Sequence, residues 1–291
     1  MADRVSTSSR QGLSRRRESL VAVYYGAFCH SCFVVGVGTM MIMMFFGMSR
    51  SFGVLHAPWS YLANALLLAQ FPLLHSMLLS RRGHEVLRRL APHGLGGRLA
   101  TTTYALIASV QVWLLFALWS PSGTVWWRAS GFVFGVLCCL YAVAWLLLLK
   151  SIIDAGFAQQ TGLLGWRAVA RHRAPIYPPM PATGLFRLCR QPIYVAFALT
   201  LWTAPTITPD QLVVSLVLTA YCLVGPLFKE ARFARQFGEP FARYQQNVPY
   251  WLPWPPRRAA VPFADNVLAG AKATPTSGEL CSRRPPGSRR L

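Results

Sequence analysis

The most regular feature of the chain is a series of long apolar runs separated by polar segments. Six such runs cover approximately residues 20–48, 57–80, 99–120, 129–150, 192–207 and 211–228. A helix of roughly 20 apolar residues spans the hydrocarbon core of a bilayer, and it satisfies its own backbone hydrogen bonds there. The pattern therefore predicts an all-α fold, a polytopic integral membrane helical bundle with about six membrane segments.

The last two runs are shorter than the first four and are separated only by Thr208, Pro209 and Asp210. They predict a helical hairpin that is tilted or partly re-entrant, and length alone leaves open whether both helices cross the whole membrane. The first run is too long for a cleaved signal peptide, and no small-residue cleavage site follows it. It is therefore predicted to remain as a spanning helix.

The distribution of basic residues predicts the orientation of the bundle. Of the 29 Lys and Arg residues, 27 lie in the N-terminal tail, in 81–98, in 150–190 or after Phe228, and only Arg50 and Arg128 lie on the other side. Because positively charged loops stay on the cytoplasmic side, this asymmetry predicts that both termini are cytoplasmic. We expect an integral protein of a bacterial inner membrane.

Composition excludes several other classes. The chain is 54% hydrophobic and 13% charged, against about 25% charged in soluble domains. Its net charge of +20 is spread over membrane-flanking segments, which predicts contact with anionic membrane lipid and no nucleic-acid partner. Cys29 and Cys32 share one face of the first helix and lack partners for a zinc site, so the sequence predicts helix packing there and no metal.

Composition also divides the chain into three parts. Residues 1–18 and 259–291 are predicted to be disordered basic cytoplasmic tails, and 19–258 a single membrane domain. Inside that domain the cytoplasmic segments 151–190 and 229–258 are too long to be mere connections. Irregular segments of this length are commonly functional, so we expect a soluble cofactor to meet a membrane-borne substrate there.

An ordered set of motifs lies in the C-terminal half of the chain. Arg190-Gln191-Pro192-Ile193-Tyr194 is followed by Lys229-Glu230, Phe237-Gly238, Tyr244, Val248-Pro249 and Pro253. This set resembles the isoprenylcysteine carboxyl methyltransferase superfamily, which has Arg-His-Pro-x-Tyr at the first motif and Glu-Glu at the second. Within the superfamily, Trp202, Pro205, Thr208 and the segment 74–81 resemble methanethiol S-methyltransferases and NnrU-like membrane proteins.

The resemblance implies a membrane-embedded S-adenosylmethionine-dependent methyltransferase whose cofactor site is built from 151–192 and 229–254. Its acceptor would be a small thiol, similar to methanethiol, or a lipophilic molecule. Carried over by motif, Arg190 pairs with the cofactor carboxylate and contributes to catalysis, and Gln191 and Tyr194 bind its ribose or amino-acid end. Glu230 binds the ammonium or a ribose hydroxyl, and Tyr244 stacks on the adenine or faces the sulfonium.

Two residues depart from the family motifs. Gln191 replaces a His, and Lys229 replaces a Glu and so reverses a charge beside a cationic cofactor. Two alternatives follow, namely a reshaped cofactor site and a divergent non-catalytic member of the family.

His75 is the second catalytic candidate, because an ionisable residue near the end of a membrane helix is by default a functional candidate. It would orient the acceptor or remove its proton. One alternative is an interhelical hydrogen bond without chemistry. The other is a haem ligand, with His30 as a second ligand, in an NnrU-like haem-binding protein or isomerase.

Overall fold

The computed structural model describes residues 2–251, with side chains from residue 12 onward except at residue 93. The described part consists of ten α-helices, two short 3₁₀ helices and one pair of two-residue strands. The helices are α1 Ala2–Phe45, α2 Trp59–Leu78, α3 Arg81–Leu90, α4 Gly96–Ala117, α5 Gly131–Asp154, α6 Phe157–Gln160, α7 Leu163–Ala170, α8 Pro192–Trp202, α9 Pro209–Phe237 and α10 Glu239–Asn247. The 3₁₀ helices are Pro92–Gly94 and Gly184–Arg187, and the strands are β1 Trp127–Arg128 and β2 Thr206–Ile207.

The predicted all-α membrane bundle is confirmed. Within residues 2–251, five helices are long and apolar enough to cross a membrane: α1 from Gly12 onward, α2, α4, α5 and α9. The sixth apolar segment, α8, has 11 residues and is therefore about 16 Å long. It ends at Trp202, five residues before the end of the apolar run, because the chain there turns into β2.

The tip of the α8–α9 hairpin lies at the same end of the bundle as the loops that follow α1 and α4. Strand β2 pairs with β1, which lies between α4 and α5, with Trp127 opposite Ile207. Thr208 Oγ1 donates to the carbonyl of Gly47 at 2.5 Å. The hairpin tip therefore lies at this end of the bundle, and α8 is the shorter of its two helices.

Polar side chains fix this end of the bundle. Asp210, in the first turn of α9, accepts hydrogen bonds from Trp119 Nε1 at 3.0 Å and from both the backbone nitrogen and the hydroxyl of Ser122. Thr208 caps α9 by accepting from the backbone nitrogen of Gln211 at 2.9 Å. The hairpin is therefore attached to the α4–α5 loop by side chains as well as by the strand pair.

The core lies where α1, α2, α4 and α9 meet. Met44, Leu115, Phe116 and Leu218 are all at most 1% exposed in it. Helices α1 and α4 approach so closely at Gly36 that a Cβ atom there would lie 2.6 Å from the carbonyl oxygen of Ser109. Small residues permit this kind of close helix contact in membrane proteins.

The opposite end of the bundle carries more helical structure than the sequence analysis predicts. The segment 81–98, treated there as a loop, contains α3, whose start is capped by Ser80 Oγ accepting from the nitrogen of Gly83. The segment 151–190, treated as irregular, contains α6, α7 and the 3₁₀ helix Gly184–Arg187. Helix α3 packs against α2 and α4, and α7 packs against α1 and α4.

The predicted domain boundaries remain predictions. Helix α1 continues through residues 2–18, for which composition favours a disordered tail. The predicted tail 259–291 lies outside the described residues, as does the end of the predicted membrane domain after residue 251.

Candidate functional site

The candidate site lies where α8 begins and α9 leaves the bundle. Pro192 occupies the first turn of α8, a position where its missing N–H costs nothing, and Arg190 and Gln191 directly precede it. Lys229 and Glu230 lie on the facing part of α9. The backbone nitrogen of Arg190 donates to the carbonyl of Pro249 at 2.9 Å, which holds the segment after α10 against this junction.

Arg190 and Glu230 form an ion pair. Arg190 Nε lies 3.0 Å from Glu230 Oε1, and each side chain is 13% exposed. The Nε–H is not directed at that oxygen closely enough for a hydrogen bond, so the contact is mainly electrostatic. Arg190 Nη1 donates to the carbonyl of Gln245 at 2.8 Å, and Gln245 Nε2 donates to Glu230 Oε2 at 2.8 Å. Helix α10 therefore completes the surroundings of the pair.

Gln191 connects this ion pair to Lys229. It is 1% exposed, its Nε2 donates to Glu230 Oε1 at 2.8 Å, and its Oε1 accepts from Lys229 Nζ at 2.9 Å. The amide orientation is the one that satisfies both neighbours. The two positions that depart from the family motifs thus contact each other.

Three aromatic rings surround the Lys229 ammonium. Its Nζ lies 5.4 Å from the ring centroid of Phe186, 5.8 Å from that of Tyr194 and 5.5 Å from that of Phe233. A second hydrogen bond runs from Nζ to the carbonyl of Arg190 at 3.3 Å. Tyr194 therefore takes part in the site through its ring face.

Tyr244 joins the site at its outer edge. Its hydroxyl donates to the carbonyl of Phe186 at 2.6 Å, and the residue is 3% exposed. Burial raises the pKa of Tyr244, so the phenol keeps its proton as a hydrogen-bond donor. In this conformation Tyr244 fixes the 3₁₀ helix Gly184–Arg187 on α10 and so positions Phe186.

A cavity of about 280 Å³ lies next to the ion pair and is lined by residues 153–156 and 178–183. Pro181 borders both this cavity and the Arg190–Glu230 cluster, whose own side chains leave no water-sized space between them. Asp154, at the cavity wall, forms an ion pair with Lys150 and accepts from the nitrogen of Leu185 at 2.9 Å. Gly184 is required beside it, since its φ is +58° and a Cβ atom would lie 2.2 Å from Asp154 Oδ2.

His75, on α2, lies in a separate aromatic cluster that it forms with residues of α2, α4 and α9. Its Nε2 is 2.6 Å from the hydroxyl of Tyr104, which forms the interhelical hydrogen bond between α2 and α4. Its Nδ1 is buried without a hydrogen-bond partner. The rings of Phe71 and Tyr221 lie 5.1 and 6.3 Å from the imidazole.

The two clusters meet at Gly225 on α9. A Cβ atom at Gly225 would lie 3.2 Å from the ring of Tyr194 and 3.6 Å from that of Tyr221. Tyr194 also faces Lys229, and Tyr221 also faces His75. The structure therefore brings Arg190, Gln191 and Glu230 into direct contact, with Tyr194 and Tyr244 at their edge, and places His75 beyond two tyrosine rings.

The haem alternative is not favoured. His30 Nε2, on α1, accepts a hydrogen bond from Trp166 Nε1 of α7 at 3.0 Å, and His75 Nε2 is engaged with Tyr104. Both imidazoles therefore have interhelical partners of their own. Within the described residues, no group of three or more His, Cys, Asp or Glu side chains is placed to hold a metal ion.

Several contributors to the site were not predicted from the sequence, namely Phe186, Phe233, Gln245 and Tyr104. Phe233 follows Lys229 by one helical turn, so an aromatic residue at that spacing was a detectable signal. Gln245 and Phe186 carry no such signal, because their contacts depend on how α10 and the 3₁₀ helix fold back onto α9.

Comparison with known proteins gives a consistent result. A methanethiol S-methyltransferase of Pseudomonas sp. (strain GM41(2012)) is 28% identical over 197 residues, which cover 67% of this chain and 74% of that protein. One of Mycobacterium tuberculosis is 27% identical over 201 residues, covering 67% and 78%. Nurim of Xenopus laevis is 26% identical over 139 residues, covering 43% and 47%.

No family model matches the chain, and no solved structure matches it. The predicted resemblance is nevertheless confirmed by these relatives. The homologues of this chain include methanethiol S-methyltransferases and nurim, members of the isoprenylcysteine carboxyl methyltransferase-like superfamily.

Proposed function

We propose that the protein is a membrane-embedded S-adenosylmethionine-dependent methyltransferase that acts on a small thiol or a lipophilic acceptor. The observation that carries this proposal is the buried cluster of Arg190, Gln191 and Glu230 at the open end of the α8–α9 hairpin, opposite its tip. The similarity to methanethiol S-methyltransferases supports the reaction class and suggests methanethiol itself as the first acceptor to test.

The residues present fit the methyl donor. Its amino-acid end carries a carboxylate and an ammonium, which are complementary to the Arg190 guanidinium and the Glu230 carboxylate. The neighbouring cavity of about 280 Å³ offers room for the nucleoside half, with Asp154 as an acceptor for hydroxyl groups. When bound, S-adenosylmethionine supplies an electrophilic methyl group on a sulfonium sulfur.

The chain's own residues then serve mainly to orient the reactants and to take up a proton. Arg190 and Glu230 fix the amino-acid end, and the aromatic rings around the cluster exclude water, which contributes rate through positioning. His75 accepts the proton of the acceptor thiol at Nδ1, the nitrogen without a partner, while Nε2–H donates to the Tyr104 oxygen. This tautomer leaves the Nδ1 lone pair available.

We further infer that the site faces the cytoplasm. Arg50 and Arg128 lie at the hairpin-tip end of the bundle, whereas the basic residues of α3, α7 and α9 lie at the site end. The positive-inside rule then puts the site and both termini in the cytoplasm of a bacterial cell, where the soluble donor is found. In this arrangement a lipophilic acceptor reaches the site from the membrane. Residues 19–258 form the one domain that carries out the reaction.

The test is calorimetric titration of S-adenosylmethionine into the purified full-length protein in detergent. We expect binding by the wild type and loss of binding by Glu230→Ala, because that variant removes the carboxylate and leaves Arg190 unpaired. The matched control is Glu239→Ala, which removes an exposed carboxylate at the start of α10 and should bind like the wild type. Absence of wild-type binding at millimolar donor would favour a non-catalytic family member.

A further inference from the structure

The Lys229 ammonium is enclosed by the rings of Phe186, Tyr194 and Phe233, which we call the cation cage. All three ring centroids lie between 5.4 and 5.8 Å from Nζ. This is within the distance of about 6 Å at which the face of an aromatic ring attracts a cation. Three such faces around one point form a site for a single organic cation, either an ammonium or a sulfonium.

The cation cage directly adjoins the groups that fit the amino-acid end of the donor. Lys229 is next to Glu230 in the chain, and its Nζ donates to the side chain of Gln191 and the carbonyl of Arg190. In S-adenosylmethionine only two methylene groups separate the sulfonium sulfur from the α-carbon of the amino-acid end. When Arg190 and Glu230 hold that end, the sulfonium must therefore lie nearby.

We propose that the cation cage is the sulfonium subsite and that Lys229 occupies it in the donor-free protein. This inference rests on the proposed function. Two cations cannot share the cage, because like charges at contact distance repel strongly in a medium of low dielectric constant. Donor binding therefore requires the Lys229 ammonium to leave.

The tight packing around Lys229 means that a ligand can bind there only if a side chain is displaced. The residues around Arg190, Gln191 and Lys229 leave no water-sized space, so a ligand enters only if one of them moves. Lys229 has a long flexible stem, and its departure removes both the steric block and the competing charge. Phe186 and Gln191 are less free to move. The Phe186 carbonyl accepts a hydrogen bond from Tyr244 of α10, and the Gln191 amide donates one to Glu230.

S-adenosylhomocysteine provides the test, because it lacks the methyl group and the positive charge but keeps the rest of the donor. Calorimetry on the full-length protein in detergent measures the affinity for each ligand. In Lys229→Met, which preserves length and removes the charge, we expect the affinity for S-adenosylmethionine to rise about tenfold and that for S-adenosylhomocysteine to change little. The matched control Arg235→Met removes a charge from the exposed face of the same helix and should leave both affinities unchanged.

Phe233→Leu, made in the Lys229→Met background, removes one wall of the cage and should lower the preference for S-adenosylmethionine again. An equal or lower preference in Lys229→Met than in the wild type would overturn the inference. If neither ligand binds to the wild type or to Lys229→Met, although both melt cooperatively, the proposed donor site itself is wrong.

Amine labelling of the wild type covers the case in which Lys229→Met does not fold. With mass spectrometry as the readout, S-adenosylmethionine should increase acetylation of Lys229 by acetic anhydride, and S-adenosylhomocysteine, whose neutral sulfur does not repel the ammonium, should increase it less. Unchanged labelling of Lys229 in the presence of saturating S-adenosylmethionine would equally overturn the inference.

Discussion

At the scale of single residues, the contact between Gln191 and Lys229 changes the meaning of the two departures from the family motifs. Considered one at a time, Gln191 replaces a titratable His with a neutral amide, and Lys229 replaces an acidic Glu with a basic residue. In the structure the Lys229 ammonium donates to the Gln191 amide, whose nitrogen donates to Glu230. The two replacements therefore act as one compensated pair.

This pairing predicts non-additive effects on stability. Lys229→Glu alone places a carboxylate beside Glu230 and removes a donor to Gln191, so the melting temperature should fall. Gln191→His together with Lys229→Glu should recover part of the loss, since a protonated imidazole can lie between two carboxylates. We expect a coupling free energy of about 1–2 kcal/mol from a double-mutant cycle measured by thermal unfolding in detergent. Additive effects of the two substitutions would show that the pair is not coupled.

Tyr104 is expected to act through His75. Tyr104→Phe removes the hydroxyl that engages Nε2 and so releases the imidazole from its tautomer and orientation. Turnover should drop roughly tenfold while the affinity for S-adenosylmethionine stays the same. Tyr25→Phe is the matched control, since Tyr25 forms the same kind of bond, to Thr103, between α1 and α4. Equal losses in both variants would point to a general packing defect.

At the scale of elements, Asp210 attaches the hairpin tip to the α4–α5 loop. Asp210→Ala leaves Trp119 Nε1 and the Ser122 nitrogen without their acceptor and should destabilise the fold by about 1–3 kcal/mol. Thermal unfolding measures the loss, and donor affinity should persist because the site lies at the other end of α9. Glu85→Ala, in the exposed ion pairs of α3, should have almost no effect. A melting temperature of Asp210→Ala equal to that of the wild type would refute the anchoring role.

The sequence was sufficient to predict the long apolar helices, but it did not predict the shorter elements between them. Continuous apolar runs predicted α1, α2, α4, α5 and α9, because hydrophobic length is almost the only requirement for a spanning helix. The early end of α8 depends on the pairing of β2 with β1, a contact between distant parts of the chain. Helix α3 was treated as a loop because it is short and basic, although its buried and charged residues lie on opposite faces.

The same distinction holds for the candidate site. Arg190, Gln191 and Glu230 were predicted from the resemblance to the family motifs, and they are in contact because the residues before α8 face the C-terminal part of α9. Phe186 and Gln245 were not predicted, since their positions follow from the folding of the 3₁₀ helix and α10 over α9. No local pattern encodes that arrangement.

At the scale of the whole molecule, the charge asymmetry predicts the orientation in the membrane. Thr124, near the hairpin tip, and Glu239, at the start of α10, are both exposed and lie at opposite ends of the bundle. In intact cells, a membrane-impermeant maleimide should label Thr124→Cys above the wild-type background and should label Glu239→Cys only after permeabilisation. The reverse pattern would invert the topology and remove the site from the cytoplasmic donor.

Methyl transfer itself tests the central claim most directly. Purified protein incubated with methyl-labelled S-adenosylmethionine and methanethiol should form dimethyl sulfide that carries one labelled methyl group, as detected by gas chromatography and mass spectrometry. Glu230→Ala should abolish this product, and Glu239→Ala should not. Failure of the wild type to transfer label to methanethiol or to any longer thiol or carboxylate, despite a cooperative thermal melt, would contradict a methyltransferase function.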